Sequence, residues 1–495
     1  MDDRAPIEAM PPAPDVAAPS ASDAGAAAPA RSRLAALLAL VREALRGTHR
    51  DYTVGSIPRA IFLLAVPMVV EMAMESLFAL ADMFWVSHLG KPEAVAIVVV
   101  TESMLALVYA IAMGLAMAAT ATIARRIGEK DREDAASFAV QSIALGILVA
   151  IPLGIVGALG TPHFLRWMEA SPAAIADCST YTVVMLGGNA TILLLFLMNA
   201  VFRGAGDASN AMWTLLLANG INVVLDPCLI FGLGPFPRLG VVGAAVATNT
   251  GRGIGILYQL WRLSRGSTHL VVLRSHLKLV AGQMATLLRL SGAGILQALI
   301  ATASWGALVK VLGRFGDTAL AGYGIGLRIV IFGLLPSWGM SNAAATLVGQ
   351  SLGAKLPERA ERAVWLAGFY NTIFLGAVGL IFVVGAPLIV RSFGAAPEVA
   401  AVAVSCLRTI SCGFLFYAYG MVFAQSFNGA GDPWTPTGMN LFVFWILEIP
   451  LAWLLAHPLG FGPRGVFIAI TVSFSTFAVV GAWLFRRGRW KTRRV

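Results

Sequence analysis

The chain has 495 residues, 58% of them apolar and 13% charged, with a formal net charge of +10 and a mean hydropathy of +0.78. That apolar excess excludes a soluble protein of any domain count and places the chain in a bilayer. A basic balance of this size would suggest nucleic acid in a soluble chain, but here the loops between membrane helices account for it.

In chain order, residues 1–30 are an Ala/Pro/Ser-rich stretch without an apolar core. The composition predicts a disordered tail and no cleavable signal, so the first membrane helix is expected to act as its own insertion signal. Arg31 to Arg46 (RSRLAALLALVREALR) spaces leucines at helical intervals among basic residues. That pattern fits an amphipathic helix on an anionic membrane surface, or a plain solvated helix.

Twelve apolar helices then follow, at 57–87, 92–123, 134–160, 172–202, 209–232, 240–263, 282–312, 318–348, 359–391, 398–427, 434–456 and 465–486. Each is long enough to cross a bilayer. Turn chemistry at Gly90-Lys91-Pro92, Thr161-Pro162, Ser171-Pro172, Gly234-Pro235-Phe236-Pro237 and Gly462-Pro463 marks breaks between them. Basic residues concentrate after helices 2, 6, 8 and 12, while each loop on the other side carries about one. By the positive-inside rule both termini are cytoplasmic. The expected location is the cell's inner membrane, with contact to its lipids.

The chain also repeats itself. Phe202-Arg203-Gly204-Ala205-Gly206-Asp207 recurs 225 residues later as Phe427-Asn428-Gly429-Ala430-Gly431-Asp432, and the same offset links Gly114 to Gly339, Gly128 to Gly353 and Glu133 to Glu358. Further upstream it becomes 226, pairing Gly90 with Gly316. One duplication of six helices explains these matches. The fold expected is an all-α membrane protein of two pseudo-symmetric six-helix bundles. These comprise an amino-terminal unit (1–56), a first lobe (57–265), a cytoplasmic linker (266–281), a second lobe (282–487) and a basic tail (488–495). Six is even, so the copies enter the membrane from the same side and rock about a central site. The Gly-Ala-Gly-Asp boxes read as turn glycines with Asp207 or Asp432 capping the next helix, not as ion sites.

Polar residues inside spans carry the chemistry. At about 100° per residue, Glu75 lies about 40° and Asp82 about 20° around the first helix from Glu71, so the three acids share a stripe. A carboxylate at mid-membrane costs roughly 2.5–3.5 kcal/mol on insertion scales, so the stripe faces a polar interior, a partner or a proton rather than lipid. For Glu71 and Glu75, hydrogen bonding to neighbouring helices is the structural alternative. In the fifth helix Asn222 and Asp226 are four residues apart on one face, beside Pro227. With Asp82, and with Thr248 of the sixth helix, they are expected to converge as an ion-coupling set. Two carboxylates in one pocket share a proton or bind a small cation, and Na+ is one candidate at Asp82, Asn222 and Asp226.

The second half is poorer in acids. Gln297 takes the repeat position of Glu71, and Glu448 stands before Pro450 in the eleventh helix. Glu71, Glu75, Gln297 and Glu448 are expected to line a substrate cavity. Met68, Met72, Met74, Met104, Met113 and Met117 either give it an adaptable lining or pack ordinarily. Cys178, Cys228, Cys406 and Cys412 form no CxxC pair and read as small hydrophobic residues.

The two six-helix halves, the Pro67 to Asp82 spacing followed by Trp-Val and His-Leu-Gly, the Asn222-x3-Asp226-Pro run and the paired Gly-Ala-Gly-Asp boxes together resemble the multidrug and toxic compound extrusion (MATE) family. The resemblance covers about 57–487. It implies an antiporter that expels drugs and organic cations, driven by inward H+ or Na+. Carried over by position, Asp82 is similar to the family's essential first-helix aspartate. Asn222, Asp226 and Thr248 are similar to its partners in the branch whose coupling site lies in the first lobe. Another branch places acids in helices 7 and 10, where this chain has Gln297 and no acid. The nearest alternative is a lipid-linked precursor flippase of a related two-bundle family, which would favour a cationic cavity. An intramembrane enzyme would need a nucleophile or metal set, and the sequence has no HExxH and no P-loop, so neither enzyme chemistry nor ATP drive is expected. No cofactor is expected beyond the coupling ion, and a monomer is the expected state.

Overall fold

The computed structural model describes residues 30–47, 50–169, 171–266 and 270–493. The disorder expected of the amino-terminal tail falls on residues outside these. A first helix, α1 (Ala30–Arg46), precedes the membrane helices. It is tied to the helices beside it: the Trp213 indole donates to the Leu45 carbonyl at 2.8 Å, and Glu43 pairs with Arg50 and Arg59 at 2.7 and 2.6 Å.

The first half comprises α2 (Ile57–Ser87), α3 (Pro92–Gly128), α4 (Arg132–Trp167), α5 (Pro172–Gly187), α6 (Asn189–Gly204), α7 (Ala208–Phe231) and α8 (Val241–Arg265). The second comprises α9 (Ala281–Leu312), α10 (Asp317–Gly353), α11 (Pro357–Arg391), α12 (Pro397–Ser411), α13 (Phe414–Gly429), α14 (Trp434–Asn440), α15 (Ile449–Ala456) and α16 (Pro463–Arg486). Ser171 starts α5 by accepting from the Ala174 amide with Pro172 in the first turn, and Asp131 starts α4 by accepting from Asp134.

Two expected spans are broken. The fourth is interrupted at Gly188 and the tenth at Cys412 and Gly413, where α12 and α13 meet at 58°. Gly188 and Gly413 are 225 apart, so the duplication carries the break with it. The eleventh span contains a π-helical segment, Leu441–Glu448. The second and third helices run longer than expected, to Gly128 and from Arg132 to Trp167; the break expected at Thr161-Pro162 does not occur, and α4 continues through Pro162 to Trp167.

Among the described residues, ten segments are long and apolar enough to cross a membrane, and α12 with α13 makes an eleventh. The twelfth, α8, has 25 residues, about 37 Å at 1.5 Å per residue. Its mean hydropathy is diluted because Thr248, Arg252 and Gln259 are turned into the protein and buried.

The duplication is visible in the backbone. Lys130 and Lys355 both turn the chain with φ of 63° and 60° after α3 and α10, and Gly206 and Gly431 do so with 86° and 80°. A left-handed lysine is uncommon, and its recurrence at an offset of 225 is not a chance event.

Each half lends its first helix to the other. Ile61, Leu64 and Met68 of α2 share an apolar core with Leu347 and Val348 of α10, while Leu287 and Leu290 of α9 share one with α3 to α8. Glycines permit both crossings. A Cβ on Gly339 would stand 2.5 Å from the Met68 carbonyl oxygen, and one on Gly114 would stand 2.5 Å from the Ile295 amide nitrogen. On the face carrying α1 and the carboxy-terminal turn, Gly128 abuts the Gln350 carbonyl and Gly353 the Arg125 carbonyl, which closes the two halves against each other, while Gly429 abuts the Ala345 carbonyl within the second half. The carboxy-terminal turn braces that face. Trp490 is buried on Phe485, Lys491 pairs with Glu361 at 2.5 Å, and Arg125 donates to the Arg493 carbonyl at 3.1 Å. The linker is strapped to α4, where Gln141 donates to the Lys278 carbonyl at 2.7 Å.

Candidate functional site

Helix α7 presents Asn222 and Asp226 one turn apart toward α8. The Asn222 amide donates to Asp226 Oδ1 and to Thr248 Oγ1, both at 3.2 Å. All three side chains are buried, Asp226 completely. Asp82, near the end of α2, acts electrostatically on Asp226. Three oxygens of the group, Asp82 Oδ1, Asp226 Oδ2 and Asn222 Oδ1, are buried without a hydrogen-bond partner among the described residues. Asn222, Asp226 and Thr248 form one hydrogen-bonded, acceptor-rich group on which the Asp82 charge acts, and its chemistry fits a proton or a small hard cation.

Glu71 and Glu75 lie elsewhere. They share a stripe with Asp82, but 11 residues separate Glu71 from it, about 16 Å of helical rise. Glu71 is 1% exposed and accepts from Arg203 at 2.7 Å and from Asn199 at 3.1 Å, and Asn199 in turn accepts from Gln259 at 2.6 Å. It belongs to a buried network joining α2, α6 and α8. Glu75 faces Arg252 at 3.9 Å. Arg252 also donates to Tyr109 at 3.2 Å, and its guanidinium lies 5.3 Å from the centre of the Phe78 ring. Glu102 of α3 acts electrostatically on Asp82 and Arg252. Nothing local in the sequence ties Glu102 or Tyr109 to Arg252, although an acid inside an apolar span is itself a visible signal. In sequence Arg203 stands only within a turn box, because its partner Glu71 is 132 residues away.

The boxes themselves differ. Asp207 accepts from the Asn210 amide at 3.3 Å and caps α7, whereas Asp432 accepts from the Thr435 hydroxyl at 2.8 Å and pairs with Arg493 at 3.4 Å.

A central cavity of about 110 Å³ lies between the halves, just inside the closed face. Its walls include Met72, Met113, Met117, Phe196, Trp338 and Arg203, so three of the methionines of α2 and α3 reach a cavity, while Met68 packs in the apolar core. Gln297 is buried in α9, its backbone carbonyl accepting from Asn440 at 3.2 Å. Glu448 lines a separate cavity in the second half.

The family model MatE matches this chain twice, over residues 67–228 and 295–454, one match in each half. The chain is 25% identical over 451 residues to a probable multidrug resistance protein NorM of Thermotoga maritima, covering 89% of this chain and 95% of that one. It is 24% identical over 438 residues to a FAD transporter of Shewanella oneidensis, covering 87% and 95%. Among solved structures it is similar to a MOP superfamily transporter from Pyrococcus furiosus, with TM-score 0.83, 28% identity and coverage of 90% and 98%. An outward-facing multidrug resistance MATE family transporter matches with TM-score 0.83, 28% identity and coverage of 89% and 97%. With both halves matched by one family model and the whole membrane region superposing on solved MATE structures, the chain belongs to the MatE family, the multidrug and toxic compound extrusion family, and is a membrane transporter rather than an enzyme.

Proposed function

We propose that the chain is a secondary active exporter of organic cations and drugs, exchanging them for H+ or Na+ by alternating access of the central cavity. The observation that carries this reading is the Asp82, Asn222, Asp226 and Thr248 cluster, with its buried oxygens that lack donors. A cation entering it neutralises charge inside the first half, and its release restores that charge. Occupancy thereby changes which arrangement of the two halves is favoured. Relatives named as multidrug resistance proteins support the substrate class. An acidic first half argues against the flippase alternative, since among the described residues the central cavity's wall carries one charge, Arg203, which Glu71 pairs.

By the charge of the loops, the face carrying the termini is cytoplasmic in the inner membrane. The glycine contacts then close the cytoplasmic side, the arrangement an outward-facing state requires. The test is drug efflux with ΔpH and Na+ gradients imposed separately on wild type and Asp82→Asn. Gradient-driven efflux that Asp82→Asn abolishes supports the reading. Normal pumping by that variant sinks it.

A further inference from the structure

The coupling cluster has a counterpart in the second half. In the first half, the Asn219 amide of α7 donates to the Met74 carbonyl of α2 at 3.1 Å. In the second, the Trp445 indole donates to the Ile300 carbonyl of α9 at 2.9 Å. Residues 219 and 445, like 74 and 300, are 226 apart, so one interhelical contact is made twice and fixes the register of the copies. In that register Glu448 stands where Asn222 stands, while Asp82 and Asp226 become Leu308 and Ala452. Gly243 and Gly465 align α8 with α16, each abutting the backbone of the helix before it, and Thr248 becomes Ile470. The second copy thus puts an acid in place of the Asn222 amide and replaces the other three side chains by apolar ones.

Glu448 is 3% exposed and ends the π-helical segment Leu441–Glu448, a distortion often found at functional sites. Its carboxylate faces a cavity of about 390 Å³ and has no hydrogen-bond or ion-pair partner among the described residues. Aromatic side chains make the walls: Trp305, Trp338, Tyr417, Phe444 and Phe474. Tyr417 stacks on Phe474 with centroids 3.9 Å apart. The Ser304 hydroxyl is committed to the Ala301 carbonyl at 2.7 Å. Trp338 lines this cavity and the central one, so the two adjoin.

A small hard cation is held by several oxygens, and this cavity brings one carboxylate. A bulky cation with dispersed charge has the opposite needs, a single counter-charge and aromatic faces. We propose that the Glu448 cavity is a second binding site, taking a lipophilic organic cation that the carboxylate neutralises and the aromatic walls enclose. The proposal rests on the reading that this chain exports organic cations, and it adds where in the second half such a cation is held.

The test is equilibrium dialysis of tetraphenylphosphonium against the purified full chain, for wild type, Glu448→Gln and Trp305→Ala, with folding checked by thermal melting. The neutral triphenylphosphine oxide serves as control. Glu448→Gln is expected to weaken tetraphenylphosphonium binding by about tenfold and to leave the neutral compound unaffected, with Trp305→Ala weakening both. Unchanged tetraphenylphosphonium affinity in Glu448→Gln overturns the proposal, as does a change confined to proton uptake. If that variant does not fold, Trp305→Ala decides by the same readout. A wild type that binds the cation through Glu448 but moves none across a membrane sinks the export reading and leaves the binding site standing.

Discussion

Arg203 of α6 and Glu71 of α2 form a buried ion pair at 2.7 Å, and the duplication places Asn428 and Gln297 at the equivalent positions. One copy holds this position with opposite charges and the other with two neutral amides. Removing one member of a buried pair leaves an uncompensated charge and costs about 3–5 kcal/mol. Glu71→Gln alone is therefore expected to lower the melting temperature of the purified protein markedly. The double change Glu71→Gln with Arg203→Asn, which copies the second half, is expected to recover most of the loss.

Coupling is expected to be lost without loss of fold when the acceptor pocket is altered isosterically. Asp226→Asn, like Asp82→Asn, keeps volume and removes a charge. Each should reduce gradient-driven efflux by about tenfold or more, ~1.4 kcal/mol of coupling, with melting temperature retained. Thr248→Val removes the hydroxyl that Asn222 donates to and should weaken the dependence on the driving ion. Transport by vesicles under imposed gradients reads out all three.

Helix crossing between the halves is expected to fail when a side chain is placed at its closest point. Gly114→Val and Gly339→Val push Cβ into backbone at 2.5 Å, and overpacking of this kind costs about 1–3 kcal/mol or more. Both variants should show low folded yield by size-exclusion chromatography. Gly306→Ala in α9, where a Cβ meets nothing within 4 Å, is the matched control, expected to change stability by less than about 1 kcal/mol.

The carboxy-terminal turn is expected to favour the closed face it braces. Deleting residues 488–495 removes the Lys491 and Arg493 contacts to Glu361 and Asp432. Labelling of a cysteine placed at Asn342, on the central cavity, should then become faster from the side of the termini. Unchanged labelling would show that the glycine contacts suffice.

The helices, the duplication and the Asn222 and Asp226 pair were legible because all three are local or periodic. A spacing of four residues puts two side chains on one face whatever surrounds the helix. The stripe of Glu71, Glu75 and Asp82 was legible as one inward face but not in depth, since sharing a face says nothing about depth, and Glu71 and Glu75 meet different partners, Arg203 and Arg252. Arg203, Glu102 and Tyr109 were missed because their partners come from distant helices. Glu448 was visible as an acid, but its kinship with Asn222 was hidden. The repeat offset drifts from 225 at the Gly-Ala-Gly-Asp boxes to 226 at the Trp445 contact and 222 at Gly465, and the segment that carries Glu448 is π-helical.

The glycine crossings have one more consequence. Gly114 receives the first helix of the second copy and Gly339 receives the first helix of the first, so each half offers both a notch and the ridge that fills a notch. Such a contact is isologous, the form taken by two-fold homodimers. A single six-helix half, made alone, would find its best complement in a twin of itself, and the present chain has the geometry of two such twins fused end to end.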